Sequence, residues 1–201
     1  MEYEINKTYQ SKIEVEKSTF ISFLFRVETK DEFIGFLNKI KEDNPKARHY
    51  CYAYIINNEM KYSDDGEPQG TAGRPILNVI VNRKLNNVGL IVVRYFGGTL
   101  LGSGRLLRTY VVSATNVMNL ATLNEVVTEN EITANVTIDT YEIFKNYLLK
   151  KQFSIKNTKF NDKIEIVFYT PLNYDENLES IFYKKVTILS DKIVKHQREV
   201  H

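Results

Sequence analysis

Two groups of side chains in this sequence have the types and spacing to do chemistry. The first is the glycine-rich turn Gly97-Gly98-Thr99-Leu100-Leu101-Gly102-Ser103-Gly104, followed by Arg105 and Arg108. Glycine removes the side chains that keep a ligand away from the backbone, and unpaired N–H groups at a helix start attract an anion. Cations in a first helical turn oppose the helix dipole, at a cost of roughly 0.3–1 kcal/mol each. Arg105 and Arg108 sit three residues apart, near one face of such a helix, and a bound phosphate would offset their cost. Ser103 can cap the helix or hydrogen-bond a phosphate oxygen. Arg94, just before the turn, and Arg74, in an earlier Gly-Arg-Pro turn, extend the positive charge. The alternative is that these arginines pair with carboxylates from elsewhere in the chain. The turn is not a P-loop, because it lacks the Gly-Lys-Ser/Thr ending.

The second group is His49 with Asp64, Asp65 and Glu67. Three carboxylates near a histidine can hold Mg²⁺ or Mn²⁺, or run acid–base chemistry. Their spacing matches no metal motif, and Asp-Asp-Gly is also an ordinary turn in which Asp bonds its own backbone. No metal and no cofactor are therefore expected. Cys51 lies two residues from His49 on the same strand face, where side chains run parallel instead of aiming at each other, so it reads as a small core residue.

Both groups belong to a stretch of unusual charge. Eight of the nine glycines lie between Gly66 and Gly104, and no Asp or Glu occurs from residue 68 to residue 124. That span holds Arg74, Arg83, Lys84, Arg94, Arg105 and Arg108, although the whole chain of 201 residues carries a formal net charge of only +2. An unopposed basic stretch favours an anionic partner. A single cysteine excludes an internal disulfide, and no apolar run approaches the ~18–20 residues that cross a bilayer. With no signal-peptide pattern at the N-terminus, a cytoplasmic protein without a membrane partner is expected.

The elements that must position these residues follow from periodicity. Lys12–Glu16 and Phe20–Val27 read as strands joined at Lys17-Ser18-Thr19. Thr29 with Glu32 forms a capping box for a helix that stops before Asn44-Pro45. Residues 47–56 make a strand with His49, Cys51, Ala53 and Ile55 on one face and Tyr50, Tyr52 and Tyr54 on the other. A tyrosine row can stack bases or pack with wet hydroxyls. A helix follows Pro75, Gly89–Val93 is a strand buried on both faces, and a long helix starts near Ser103 with Leu107, Val111, Ala114 and Met118 on one side. Residues 121–131 read as a linker. Beyond it come a strand over 132–139, a helix over 141–151, strands over 153–160 and 163–170, a helix over 174–185 and a strand over 192–200. That β-α-β-β-α-β order is that of a ferredoxin-like unit. The expected class is α+β in two domains, 1–124 and 130–201.

The residues Gly73-Arg74-Pro75-Ile76-Leu77 and Val92-Val93-Arg94-Tyr95-Phe96-Gly97-Gly98-Thr99-Leu100-Leu101-Gly102 resemble the signature of the IMPACT/YigZ family, as do Arg48-His49 through Tyr54 and Asp64-Asp65-Gly66-Glu67-Pro68 with Gly70-Thr71-Ala72-Gly73. The resemblance implies an N-terminal domain like ribosomal protein S5 domain 2. It implies a ferredoxin-like C-terminal domain similar to domain V of elongation factor G. It also implies a link to translation initiation: the eukaryotic relative restrains the amino-acid-starvation kinase of initiation by competing for its activator. That relative has an additional RWD domain, which is not expected here ahead of Arg48. The function expected is a non-enzymatic binding protein that engages RNA, the ribosome or a translation-related protein. The alternative is a small phosphate-ester or nucleotide-dependent enzyme that uses the Gly-Arg loop with His49 and the acidic cluster.

Overall fold

The computed structural model describes residues 2–199. Among them are two β-sheets and five helices, a mixed α/β chain that divides into two compact units, Met1–Val126 with Gln197–His201, and Val127–His196. No helix among the described residues is long and apolar enough to cross a membrane.

The first unit is built on one antiparallel sheet. Its strands are β2 (Tyr9–Val15), β3 (Ser18–Arg26), β4 (His49–Ile56), β5 (Glu59–Ser63) and β6 (Val88–Tyr95), in the order β2-β3-β6-β4-β5. β6 lies at the centre, and its run Val88–Arg94 is buried throughout, as a strand covered on both faces must be. One face packs on α2 (Gly73–Asn82) and α3 (Ser103–Asn119) through Phe20, Leu90, Val92, Ile76, Ile80, Leu106 and Tyr110. The other face packs on α1 (Lys30–Asp43) through Phe25, Phe33, Ile40, Ile91 and Val93. The tyrosine row belongs to this second core: Tyr54 is buried, and Tyr52 and Tyr54 pack on Phe33 with ring centroids 5.0 and 4.6 Å away. It packs and does not offer a base-stacking surface.

α1 begins as its sequence dictates: Thr29 Oγ1 accepts the Glu32 N–H at 3.2 Å, and Glu32 reaches back to the Glu28 N–H at 2.8 Å. The β2–β3 connection is tighter than expected. Glu16 and Lys17, both at positive φ (47° and 62°), make a two-residue hairpin turn, and Ser18 already belongs to β3. An additional short strand, β1 (Glu2–Glu4), pairs with the start of β7 (Asn124–Val136). Residues 124–131, expected as a linker, are therefore strand.

In the second unit β8 (Ile155–Phe160), β9 (Ile164–Thr170), β7 and β10 (Val186–Glu199) are neighbours in that order, with β7–β9 and β8–β9 antiparallel. Phe144 and Leu148 of α4 (Tyr141–Lys150) pack against Ala134, Ile166 and Phe168. The helix expected over 174–185 is one turn, α5 (Leu178–Ile181), capped by Asn177 and ended by Tyr183 and Lys184 at φ 50° and 61°. β10 begins six residues before the expected 192, and Val200 lies outside the described residues.

Candidate anion-binding site

Arg94 is the penultimate residue of β6, paired in register with Phe20 of β3 and His49 of β4. Its side chain points into the core with only 6% exposure. A guanidinium there must be neutralised, and its partner is Glu67, the last carboxylate before the acid-free span. Arg94 Nη1 donates to Glu67 Oε1 and Oε2 at 2.7 and 3.0 Å, and Tyr110 Oη of α3 donates to the same Oε1 at 2.7 Å. The Cys51 thiol lies 3.3 Å from Tyr110 Oη and 3.0 Å from the Asp64 carbonyl, and its one proton serves one of them. Burial pushes the Cys51 thiol and the Tyr110 hydroxyl far above their ordinary pKa values, so both stay neutral. Arg94 also lies over Phe20 and Phe96, and Arg48 lies over Phe96 at 5.3 Å. Arg94 Nε is buried with no hydrogen-bond partner among the described residues. Arg94 is thus committed to Glu67 and Phe20 and is not an open third donor to an outside phosphate.

The other acidic side chains are spent on backbone. Asp64 Oδ1 accepts the N–H groups of Ala72 and Gly73 at 3.0 and 2.8 Å, and Oδ2 accepts that of Gly70 at 2.8 Å. The Ala72 and Gly73 N–H groups open α2 and that of Gly70 belongs to the turn before it, so the carboxylate fills the anion position at that helix start. Asp65 Oδ2 accepts the Tyr50 N–H at 2.6 Å. The Asp65 carbonyl is 2.8 Å from His49 Nδ1; a carbonyl only accepts, so Nδ1 carries a proton. His49 Nε2 lies 3.9 Å from Glu67 Oε2. His49 and Glu67 do approach each other, but Asp64 and Asp65 turn to main chain. Among the described residues no group of three or more His, Cys, Asp or Glu is arranged to hold a metal ion.

The turn from Gly97 to Gly104 is held at its root and open at its tip. A Cβ on Gly97 would lie 2.0 Å from the Lys17 carbonyl carbon, so only glycine allows this approach to the β2–β3 turn. The Gly97 N–H donates to Ser18 Oγ at 3.1 Å. Further on, Leu100 is 87% exposed. Gly102, at φ 73°, is the N-cap of α3, so Ser103 is the first helical residue and not the cap. Among the described residues no side chain caps this helix, and no acidic residue lies in its first turn. Ser103, Gly104 and Arg105 are exposed, and the first helical bond is Leu106 N–H to Gly102 O at 2.9 Å. Arg105 pairs with Glu16 at 2.9 Å, with both side chains about half exposed. Arg108 is exposed and forms no ion pair among the described residues. The open helix start thus carries Gly102, Ser103, Gly104 and Arg105, with Arg108 one turn further along α3 and Gly98 in the exposed turn before it. The structure keeps Arg94 inside, and it places Arg74 on α2, facing a groove against α3.

Tyr110 was not singled out by sequence reasoning. Its signal is helical spacing: Leu106, Tyr110, Ala114 and Val117 form a buried stripe of α3, which includes Ala114 of the expected stripe and lies beside its buried Met118, while the expected Leu107 and Val111 fall at the margin.

A two-unit α/β protein with an arginine–carboxylate pair locked in the core and an uncapped helix start with no acidic residue in its own first turn is the class that fold and site define. The chain belongs to the IMPACT family: the Impact N-terminal domain matches residues 16–118, a span containing every site residue described above. It is 34% identical over 170 residues to the IMPACT family member YvyE of Bacillus subtilis, covering 83% of this chain and 78% of that one. An IMPACT family member of Haemophilus influenzae is 42% identical, and YigZ of Escherichia coli 36% identical, each over 102 residues. These two matches cover 48% of this chain and span half the length of each relative. A crystal structure described as that of an hypothetical protein shares the fold, with a TM-score of 0.61 and 24% identity over 94% of this chain and 98% of that one.

Proposed function

We propose that this protein is a non-enzymatic binding protein that engages RNA of the translation apparatus, gripping phosphate at the start of α3. The observation that carries the reading is the helix start itself: exposed, uncapped, without an acidic residue in its first turn, and flanked by Arg105 and Arg108 within a carboxylate-free span. Free N–H groups and dipole favour an anion there, and the arginines add charge where the dipole is already positive. The translational assignment comes from the family resemblance. So do the labels of ribosomal protein S5 domain 2-like and ferredoxin-like for the two units; the strand order β8-β9-β7-β10 supports the second.

Against the enzyme reading, three of its four acid–base candidates are engaged within the chain. Asp64 and Asp65 are bound to backbone N–H groups, and Glu67 is bound to Arg94 and Tyr110. The test is ribosome co-sedimentation over a salt series with wild type and the Arg105→Ala, Arg108→Ala double variant. Binding that weakens in the variant, with a log–log salt slope reduced by about 2, supports phosphate contact by both arginines. Unchanged binding and slope overturn it. The exposed Arg105–Glu16 pair contributes little to folding, so the variant should melt as the wild type does.

A further inference from the structure

Leu107 and Val111 of α3 lie at the margin of the core, Leu107 exposed and Val111 half-buried. They line a groove of about 320 Å³ between α3 and α2. On α2, Pro75, Asn78, Val79 and Asn82 recur at helical spacing along the other wall, and Arg74 stands at its N-terminal end. The floor is aliphatic. The two amides lie one turn apart on the rim and, among the described residues, neither is hydrogen-bonded within the chain.

We propose that this groove docks an acidic peptide segment of a partner protein, anchored by an aliphatic side chain. Three observations argue for that occupant. First, charge: both walls come from the span 68–124, which has no carboxylate, while Arg74 lines the groove and Arg108 adjoins Leu107. A partner with the opposite sign is steered in and a basic one repelled. Second, shape: a groove floored by Val79, Leu107 and Val111 takes one aliphatic side chain. Asn78 and Asn82 present a donor and an acceptor each, as a peptide backbone requires. Third, what the lining lacks: it has one cation and no aromatic ring, whereas single-stranded nucleic acid is held by tracks of cations with rings on which bases stack. The proposal does not rest on the RNA reading, which uses Arg105 and Arg108 at the helix start.

The experiment is selection of a random dodecapeptide library on the full-length protein, followed by fluorescence polarisation with the enriched synthetic peptides. Enriched peptides should carry several Asp or Glu residues around Leu, Ile or Val. Their Kd should rise at least about tenfold in Arg74→Glu and in Leu107→Asp. Arg74 is exposed and Glu suits a first helical turn, so Arg74→Glu should melt like the wild type even if Leu107→Asp does not. Failure to enrich any peptide, enrichment without acidic bias, or unchanged affinity in Arg74→Glu overturns the proposal. So does loss of a labelled oligouridylate, and not of the peptides, in Arg74→Glu; that result assigns the groove to RNA. Because Arg105 and Arg108 are untouched, failure here leaves the ribosome test standing.

Discussion

Glu67 meets Arg94 with both carboxylate oxygens, and neither side chain is more than 6% exposed. Removing one partner of such a pair strands the other charge away from water. Glu67→Ala should therefore destabilise the protein by about 3–5 kcal/mol, read as a lowered urea midpoint at constant slope. Replacing both partners, as Glu67→Leu with Arg94→Met, should cost much less than the sum of the single changes. A double variant as unstable as that sum would mean the two side chains act independently.

Asp64 satisfies three backbone N–H groups at the start of α2. Asp64→Ala leaves them without a partner and should cost about 1–3 kcal/mol. Asp64→Asn keeps an acceptor but not the charge, and should fall between wild type and alanine in thermal melts. Equal melting of all three would show that water replaces the carboxylate.

Two glycines in one turn should respond oppositely. Gly97→Ala drives a Cβ into the Lys17 main chain and should lower the melting temperature sharply. A Cβ on Gly104 meets nothing within 4 Å, and Gly104 lies within α3. Gly104→Ala should stabilise by roughly 0.5–1 kcal/mol, because glycine is the poorer helix former. Ribosome binding by that variant then reads how closely a ligand approaches the backbone there.

The second unit carries a pH-sensitive contact. Hydrogen bonds from Lys156 and Lys192 hold the carboxyl of Glu131 at a pKa of about 2, below its ordinary 4.5. A depressed folded-state pKa means that the carboxylate's contribution is fully present above pH 4.5 and is lost as pH falls toward 2. Glu131→Gln should lose stability at neutral pH and show a flatter acid limb across that window. Parallel acid limbs would place the titration elsewhere.

Cys51 is buried, and burial holds its thiol protonated. A thiol-specific reagent should leave it unmodified in the native protein and label it stoichiometrically in denaturant. Rapid native labelling would show that β4 opens locally.

What the sequence made legible was local. The capping box of α1 lies within four residues of chain, and the all-apolar run of β6 identifies a central strand without knowledge of its neighbours. What stayed hidden depended on distant partners. Residues 124–131 look like a linker because they carry Glu125, Glu129 and Glu131, but these acids are matched by Arg198, His196, Lys156 and Lys192 from far along the chain. Part of the buried face of α3 stays hidden because Tyr110 and Ser113 are polar by type, yet are buried through bonds to Glu67 and to Ser22. Arg94 looked like a ligand donor because nothing within the acid-free span answers its charge. The answer comes from Glu67, just outside that span.

Helices α2 and α3 both open at glycine-bearing turns inside the same basic span, so each could recruit an anion from solution. Asp64 makes them unequal. Its carboxylate is tethered by the chain beside the start of α2 and closes that site to a free anion, whereas the start of α3 has no acidic residue in its own first turn. Where a ligand lands on this molecule is therefore decided as much by the seat already taken as by the seat left open.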